Sequence, residues 1–152
     1  MKIENAKPDD VLALVELGAL MFTESEHYRQ FSIDGTKVFN LLNYLIEDPS
    51  GIVIVAREAD GRAVGGFVGG VAEMWFSSET KVMYDNALFI HPAHRKGRLA
   101  MRLIQEAFAQ ARAKGAAEAI LSNSTGFESG RVEKLFGFIG MTRQGGVYSK
   151  LL

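Results

Sequence analysis

The chain has 152 residues, 47% hydrophobic and 23% charged, with a net charge of −1 and no cysteine. That balance suits one compact soluble domain spanning residues 1–152 and argues against intrinsic disorder. It excludes disulfide frameworks, thiolate metal sites and cysteine nucleophiles, and it gives no general attraction to nucleic acid or an anionic membrane.

Residues 1–6 (MKIENA) read as a short strand. Pro8 suits a first helical position, and Asp9 and Asp10 suit the positive end of a helix dipole. Val11, Leu14, Val15, Gly18 and Phe22 follow at helical spacing and predict a helix to about residue 23. Residues 24–35 lose the pattern and read as a loop. Val38, Leu41, Leu42 and Leu45 predict a second helix, N-capped by Asp34 and stopped by Asp48-Pro49-Ser50-Gly51.

The middle of the chain reads as β. Ile52–Arg57 is a short strand, Ala59-Asp60-Gly61 a turn, and Arg62–Phe76 a longer strand. The pairs Gly65-Gly66 and Gly69-Gly70 in that strand point to a bulge or to a close backbone approach. Lys81–Ile90 reads as a buried central strand, and with the first strand these make a four-stranded meander. Ala100, Leu103, Ile104, Ala107, Phe108 and Ala111 then mark the strongest helix, closed at Lys114-Gly115. Ala117–Leu121 is a short strand and Glu128–Phe138 a fourth helix closed by Gly140. Met141–Arg143 and Val147–Leu152, around Gln144-Gly145-Gly146, read as a terminal hairpin. The order βααβββαβαββ implies an α/β fold, a mixed and mostly antiparallel sheet with about four helices over both faces. No apolar run reaches the ~20 residues that span a bilayer, and MKIENAKPDD lacks a secretory pattern, so a cytoplasmic location is expected.

The junction LFIHPAHRKGRLAMRLI, residues 88–104, runs from a buried strand through a polar turn into the start of a long helix. Free N–H groups and the dipole make such a start an anion site, and His94, Arg95, Lys96 and Arg98 surround it. Cations at the positive end of a helix are unfavourable unless an anion such as a polyphosphate binds; a merely solvated basic turn is the other reading. No GxxxxGK[ST] is present, so a nucleotide P-loop is not supported. His91 and His94 have no third ligand at useful spacing, so no metal is expected. No Gly-x-Ser-x-Gly elbow occurs either.

This junction resembles the GNAT superfamily of acyl-CoA-dependent N-acyltransferases, in particular its short bacteriophage-type members. The family pattern is a strand, V-x-P, then [QR]-x-x-G-x-[GA] opening a helix. Here stand Ile90-His91-Pro92 and Arg95-Lys96-Gly97-Arg98-Leu99-Ala100, with Arg98 at the usual central glycine and Gly97 one residue early. The element order agrees along nearly the whole chain. The resemblance implies acetyl-CoA or another acyl-CoA as co-substrate, its pyrophosphate on the amides of Arg95, Lys96, Gly97, Arg98, Leu99 and Ala100. It implies a pantetheine arm paired with Leu88, Phe89 and Ile90, and Asn123 at the cofactor, with simple loop capping as the alternative for Asn123.

In such enzymes a neutral amine attacks the thioester and a base or water chain takes its proton. The family's Glu, six residues before the V of V-x-P, is Tyr84 here; Asp85 is adjacent but on the opposite strand face, and Glu73 lies on the preceding strand. Tyr84 holding a water, Asp85 and Glu73 are the candidate bases, with surface roles as the alternative for the two carboxylates. The family's late Tyr is replaced by Phe136 or Glu133, leaving Tyr148 or water to protonate the thiolate. An acceptor would sit under residues 24–35 and near Glu73, Met74, Trp75 and Phe76, where carboxylates favour a cationic amine and aromatics its apolar body. The sequence therefore reads as an N-acyltransferase acting on an amine of a small molecule or protein, with a homodimer compatible and no membrane partner. A non-catalytic acyl-CoA-binding or protein-interaction module is the alternative. A transferase acting on modified nucleic acid bases is a weaker third reading, disfavoured by the charge.

Overall fold

A computed structural model describes residues 1–95, 97–126 and 128–152. The elements are β1 (Lys2–Asn5), α1 (Val11–Glu24), α2 (Gly35–Glu47), β2 (Gly51–Arg57), β3 (Ala63–Met74), β4 (Ser77–Ile90), α3 (Leu99–Ala113), β5 (Ala116–Ile120) and α4 (Ser129–Phe138). Single 3-10 turns lie at Pro8–Asp10, Tyr28–Gln30 and Pro92–His94. Asp10 thus sits in a turn before α1, buried, accepting from the Lys7 N–H at 2.9 Å and paired with Arg57. Asp34 caps α2 by accepting from the Lys37 N–H at 3.0 Å.

The sheet runs β1-β2-β3-β4-β5, with β1 to β4 an antiparallel meander and β5 parallel to β4. Every residue of Ile52–Ala56 is buried because both faces of β2 are covered. Ile52 and Ile54 join Phe67, Met83, Leu103 and Ala107 under α3. Val53 and Val55 join Val68, Phe89, Leu14 and Leu42 under α1 and α2. The β3–β4 hairpin is longer than its sequence suggests: it turns at Trp75 and Phe76, and β4 begins at Ser77 rather than Lys81.

Gly69 explains an irregularity that shapes the site. The register pairs Val68 with Ala87 but Gly69 with Asp85, leaving Asn86 as an extra residue on β4. A Cβ on Gly69 would stand 2.2 Å from the Tyr84 carbonyl oxygen, so only glycine admits the strands this closely. The bulge also shifts the alternation of side chains. Met83 faces the α3 core, while Ala87 and Phe89 face the α1/α2 core.

The terminal hairpin is not formed. Residues 141–152 carry no strand, and Val147, Tyr148, Leu151 and Leu152 are exposed. A two-stranded hairpin is marginal by itself, and neither flank finds an apolar surface to cover. The observed order is therefore βααβββαβα.

Candidate active site

β4 and β5 are paired only from Lys81 with Ala116 to Tyr84 with Ile120. Beyond that point β5 ends, and the facing edge of β4 from Asp85 to Ile90 is left without a neighbouring strand among the described residues. The split opens a cleft of about 280 Å³ between that edge and residues 121–125. Asp85 sits where the strands part, and its carboxylate accepts from the Ser122 N–H at 3.1 Å. Burial pushes its pKa above the usual carboxylate value, and the Ser122 hydrogen bond offsets part of that rise.

The end of α1 and the turn after it close one wall. Ser25, 1% exposed, donates its Oγ–H to the Thr125 carbonyl at 2.9 Å. The Tyr28 hydroxyl bonds Ser124 Oγ at 2.8 Å. Glu24 pairs with Arg95, whose Nε–H also donates to the Ile90 carbonyl at 2.9 Å. Arg131 of α4 in turn donates to the Arg95 carbonyl at 2.5 Å. Phe22, Tyr28 and Phe136 give the wall its apolar surface.

A second depression, about 250 Å³, lies at the start of α3 and includes Gly97, Arg98, Leu99 and Arg102. Gly97 has φ +136°, a backbone state that L side chains rarely adopt, and a Cβ there would meet nothing within 4 Å. The conformation of this turn, not crowding within the protein, calls for glycine. Arg98 and Arg102 are exposed one helical turn apart; Arg102 reaches the Met1 carbonyl at 3.5 Å, while Arg98 has no ion-pair partner among the described residues.

Of the residues singled out from sequence, Asp85, Leu88, Phe89, Ile90, Arg95 and Asn123 come together around the cleft. Gly97, Arg98 and Leu99 share the second depression, Ala100 follows in α3, and Lys96 lies outside the described residues. Arg95 points away from its expected phosphate neighbours and toward Glu24. Asn123 Oδ1 accepts from Thr125 Oγ1 at 3.2 Å within its own loop. Tyr84 does not line the cleft; its hydroxyl lies 2.9 Å from where a Gly70 Cβ would stand. Glu73 is exposed beside the β3–β4 turn opposite Lys81, and Trp75 and Phe76 stack edge-on at that tip. The expected acceptor site thus divides: Glu24 and Tyr28 reach the cleft, whereas Glu73, Met74, Trp75 and Phe76 do not. Ser122, Ser124 and the Glu24–Arg95 pair escaped sequence reasoning, because contacts 37 to 96 residues apart leave no local pattern. No group of three metal-ligating side chains occurs among the described residues.

A parallel edge strand, β5, splits from a bulged central strand, β4, and a basic turn leads from β4 into the long helix α3. The family model described as "Acetyltransferase (GNAT) family" matches residues 17–138, and the chain belongs to that family. Its reaction is transfer of an acyl group from acyl-CoA to an amino group. Acetyl-CoA serves the family as co-substrate. The fold is similar to an aminoglycoside acetyltransferase, HMB0005, from an uncultured soil metagenomic sample, with 22% identity, TM-score 0.73 and coverage of 99% of this chain and 97% of that one. It is also similar to aminoglycoside N-acetyltransferase AAC(6')-Iy in complex with CoA, at 15% identity, TM-score 0.77 and coverage of 99% and 93%. A ribosomal-protein-alanine N-acetyltransferase from Brucella melitensis biovar Abortus 2308 gives 19% identity, TM-score 0.70 and full coverage of both chains. No curated protein sequence matches the chain. No helix among the described residues is long and apolar enough to cross a membrane.

Proposed function

We propose that this enzyme acylates a small cationic primary amine in the β4–β5 cleft, with Asp85 as the proton acceptor. The observation that carries the reading is the position of Asp85: a half-buried carboxyl, raised in pKa, at the point where β4 loses its strand partner. Burial and a raised pKa bring a carboxylate closer to the range useful to a base at neutral pH.

In the proposed reaction the acyl thioester lies along the open edge of β4 between Asp85 and Ile90. The lone pair of a neutral amine attacks the thioester carbon. The carbonyl π pair moves to oxygen, where backbone N–H groups of that edge offset the charge. The ammonium proton passes to the Asp85 carboxylate, directly or through one water. Collapse re-forms the carbonyl and breaks the C–S bond. The thiolate leaves with its electron pair and takes a proton from water, which its pKa of about 8.5 allows.

Gly97, Arg98 and the start of α3 would hold the pyrophosphate, supported by exposed Arg98 and by the free N–H groups of the helix start. The cleft volume is at the lower end of the roughly 300–1,000 Å³ of ligand sites, so it fits the thioester and one amine-bearing arm. Glu24 and Asp85 favour a cation, and Phe22, Tyr28 and Phe136 favour an apolar or ring-bearing body. A cytoplasmic location and a homodimer remain parts of the same proposal. The test is calorimetry with acetyl-CoA followed by thiol release with a panel of small amines. Micromolar-range affinity, about 8 kcal/mol, together with turnover on one class of amine supports the reading. Turnover on peptide N-termini alone overturns the proposed acceptor class, and no acetyl-CoA binding at millimolar concentration overturns the donor site.

A further inference from the structure

Four large aromatic side chains at the cleft belong to neither half of the core. Phe22, Tyr28 and Phe136 line the cleft, and Phe31 is half exposed outside it. None of the four is among the residues packed under α3 or under α1 and α2. Rings left out of the core and gathered at the mouth of a cleft are a surface for a ligand.

Three ring contacts join Phe22, Tyr28, His27 and Phe31 into a row. Ring centroids are 5.3 Å apart for Phe22 and Tyr28, 5.0 Å for Tyr28 and His27, and 5.7 Å for His27 and Phe31. The row starts in the cleft at Phe22 and ends outside it at Phe31. The turn that carries it is held in place. Ser25 donates to the Thr125 carbonyl and accepts from the Tyr28 N–H at 3.1 Å, and the Tyr28 hydroxyl bonds Ser124. The Phe31 N–H donates to the Tyr28 carbonyl at 2.9 Å and closes the turn. The rings are therefore set before a ligand arrives, which lowers the ordering cost of binding.

We infer that the acceptor is a monoamine joined by a short linker to an aromatic ring, its amine at Asp85 and its ring stacked on the His27–Phe31 end of the row. This rests on the amine acylation proposed above and names its substrate class. The cleft, about 280 Å³, takes the thioester and one amine-bearing arm, so the body of the acceptor lies at the mouth, where the row runs. Two carboxylates line the cleft, and Glu24 is paired with Arg95, so the net charge of these groups matches a single ammonium. At the mouth, Glu26 and Arg29 pair at 3.8 Å, so the turn carries no net negative charge to hold a second one. A planar π face gains from a second ring, by offset or edge contact, more than from a saturated body of equal size.

A matched pair of amines gives the test. With acetyl-CoA saturating, kcat/KM for phenethylamine should exceed that for cyclohexylethylamine by about two- to tenfold, the worth of a ring-on-ring contact. Calorimetry on the enzyme–CoA complex should rank the two amines in the same order without turnover. Phe31→Leu and His27→Leu each remove one ring of the row and should lower that ratio toward one. Trp75→Leu removes an aromatic side chain at the β3–β4 tip, which does not line the cleft, and should leave the ratio as it is. The amine pair needs only the parent enzyme, so it decides the matter even where a variant fails to fold. Equal use of the two amines, a preference for diaminobutane, or a ratio that both row variants leave unmoved overturns the inference while amine acylation stands. Turnover of no amine overturns both.

Discussion

Asp85→Asn separates chemistry from stability. The amide keeps the size of the carboxylate and an oxygen that accepts from the Ser122 N–H, a bond of 3.1 Å in the parent. What it loses is the capacity to take a proton. If Asp85 is the base, kcat falls about 10²- to 10⁴-fold, which is roughly 3–5 kcal/mol of barrier. Stability should move the other way. The folded pKa of Asp85 is raised, first of all by burial, above the ordinary carboxylate value. The unfolded chain therefore releases this proton at lower pH than the folded one. The contribution of Asp85 to stability falls as pH rises from the unfolded pKa through the folded pKa, and stays lower above both. A neutral Asn carries no such cost. The variant should thus be at least as stable as the parent at pH 7, with the difference closing as pH falls below the unfolded pKa. The assay is thiol release from acetyl-CoA with a turned-over amine, alongside urea unfolding at neutral and acid pH. In the parent, turnover should rise with pH through a pKa above that of an ordinary carboxylate. Turnover within about threefold of the parent would refute the assignment, since a direct base contributes about 10² or more. A variant less stable at pH 7 would refute the account of burial.

Three further outcomes follow from named contacts. Tyr84→Phe should leave kcat within about threefold, because the Tyr84 hydroxyl lies over Gly70 and away from the cleft; a loss in the range of general bases would reinstate it. Gly97→Ala should cost about 1–3 kcal/mol in unfolding free energy, since φ +136° strains any side chain, and should raise the acetyl-CoA Kd measured by calorimetry; an unchanged melt would show that the turn relaxes freely. Glu24→Gln frees Arg95 from a partly exposed ion pair worth about 0–1 kcal/mol, so acceptor KM should rise several-fold while donor Kd and Tm hardly change.

Much of the fold was legible because it is local. The strands β2 and β3, the Asp34 cap and the Gly115 stop of α3 each rest on signals within a few residues, and all appear in the structure. The meander order followed from short connections. The closing hairpin failed because its evidence was pattern alone. A strand needs an edge to join, and Val147, Tyr148, Leu151 and Leu152 are left exposed.

The proposed site is easier to read from sequence at the turn before α3 than along β4, for a reason that lies in the bulge. Counting six residues back from Ile90 arrives at Tyr84, on the assumption that β4 alternates without interruption. Gly69 breaks that assumption from the neighbouring strand: by lacking a Cβ it lets the Tyr84 carbonyl approach, and the register then carries Asn86 as an extra residue. The consequence is a change of phase between Met83, which faces α3, and Phe89, which faces α1 and α2. Asp85 stands inside this shift, one residue beyond the last pair with β5, so its carboxyl meets Ser122 instead of another strand. The paired glycines were visible in the sequence as a bulge signal, yet their effect falls on β4, where nothing in the local composition announces it. A strand's register is a property of two strands together, and where its side chains point can be read only when both are in view.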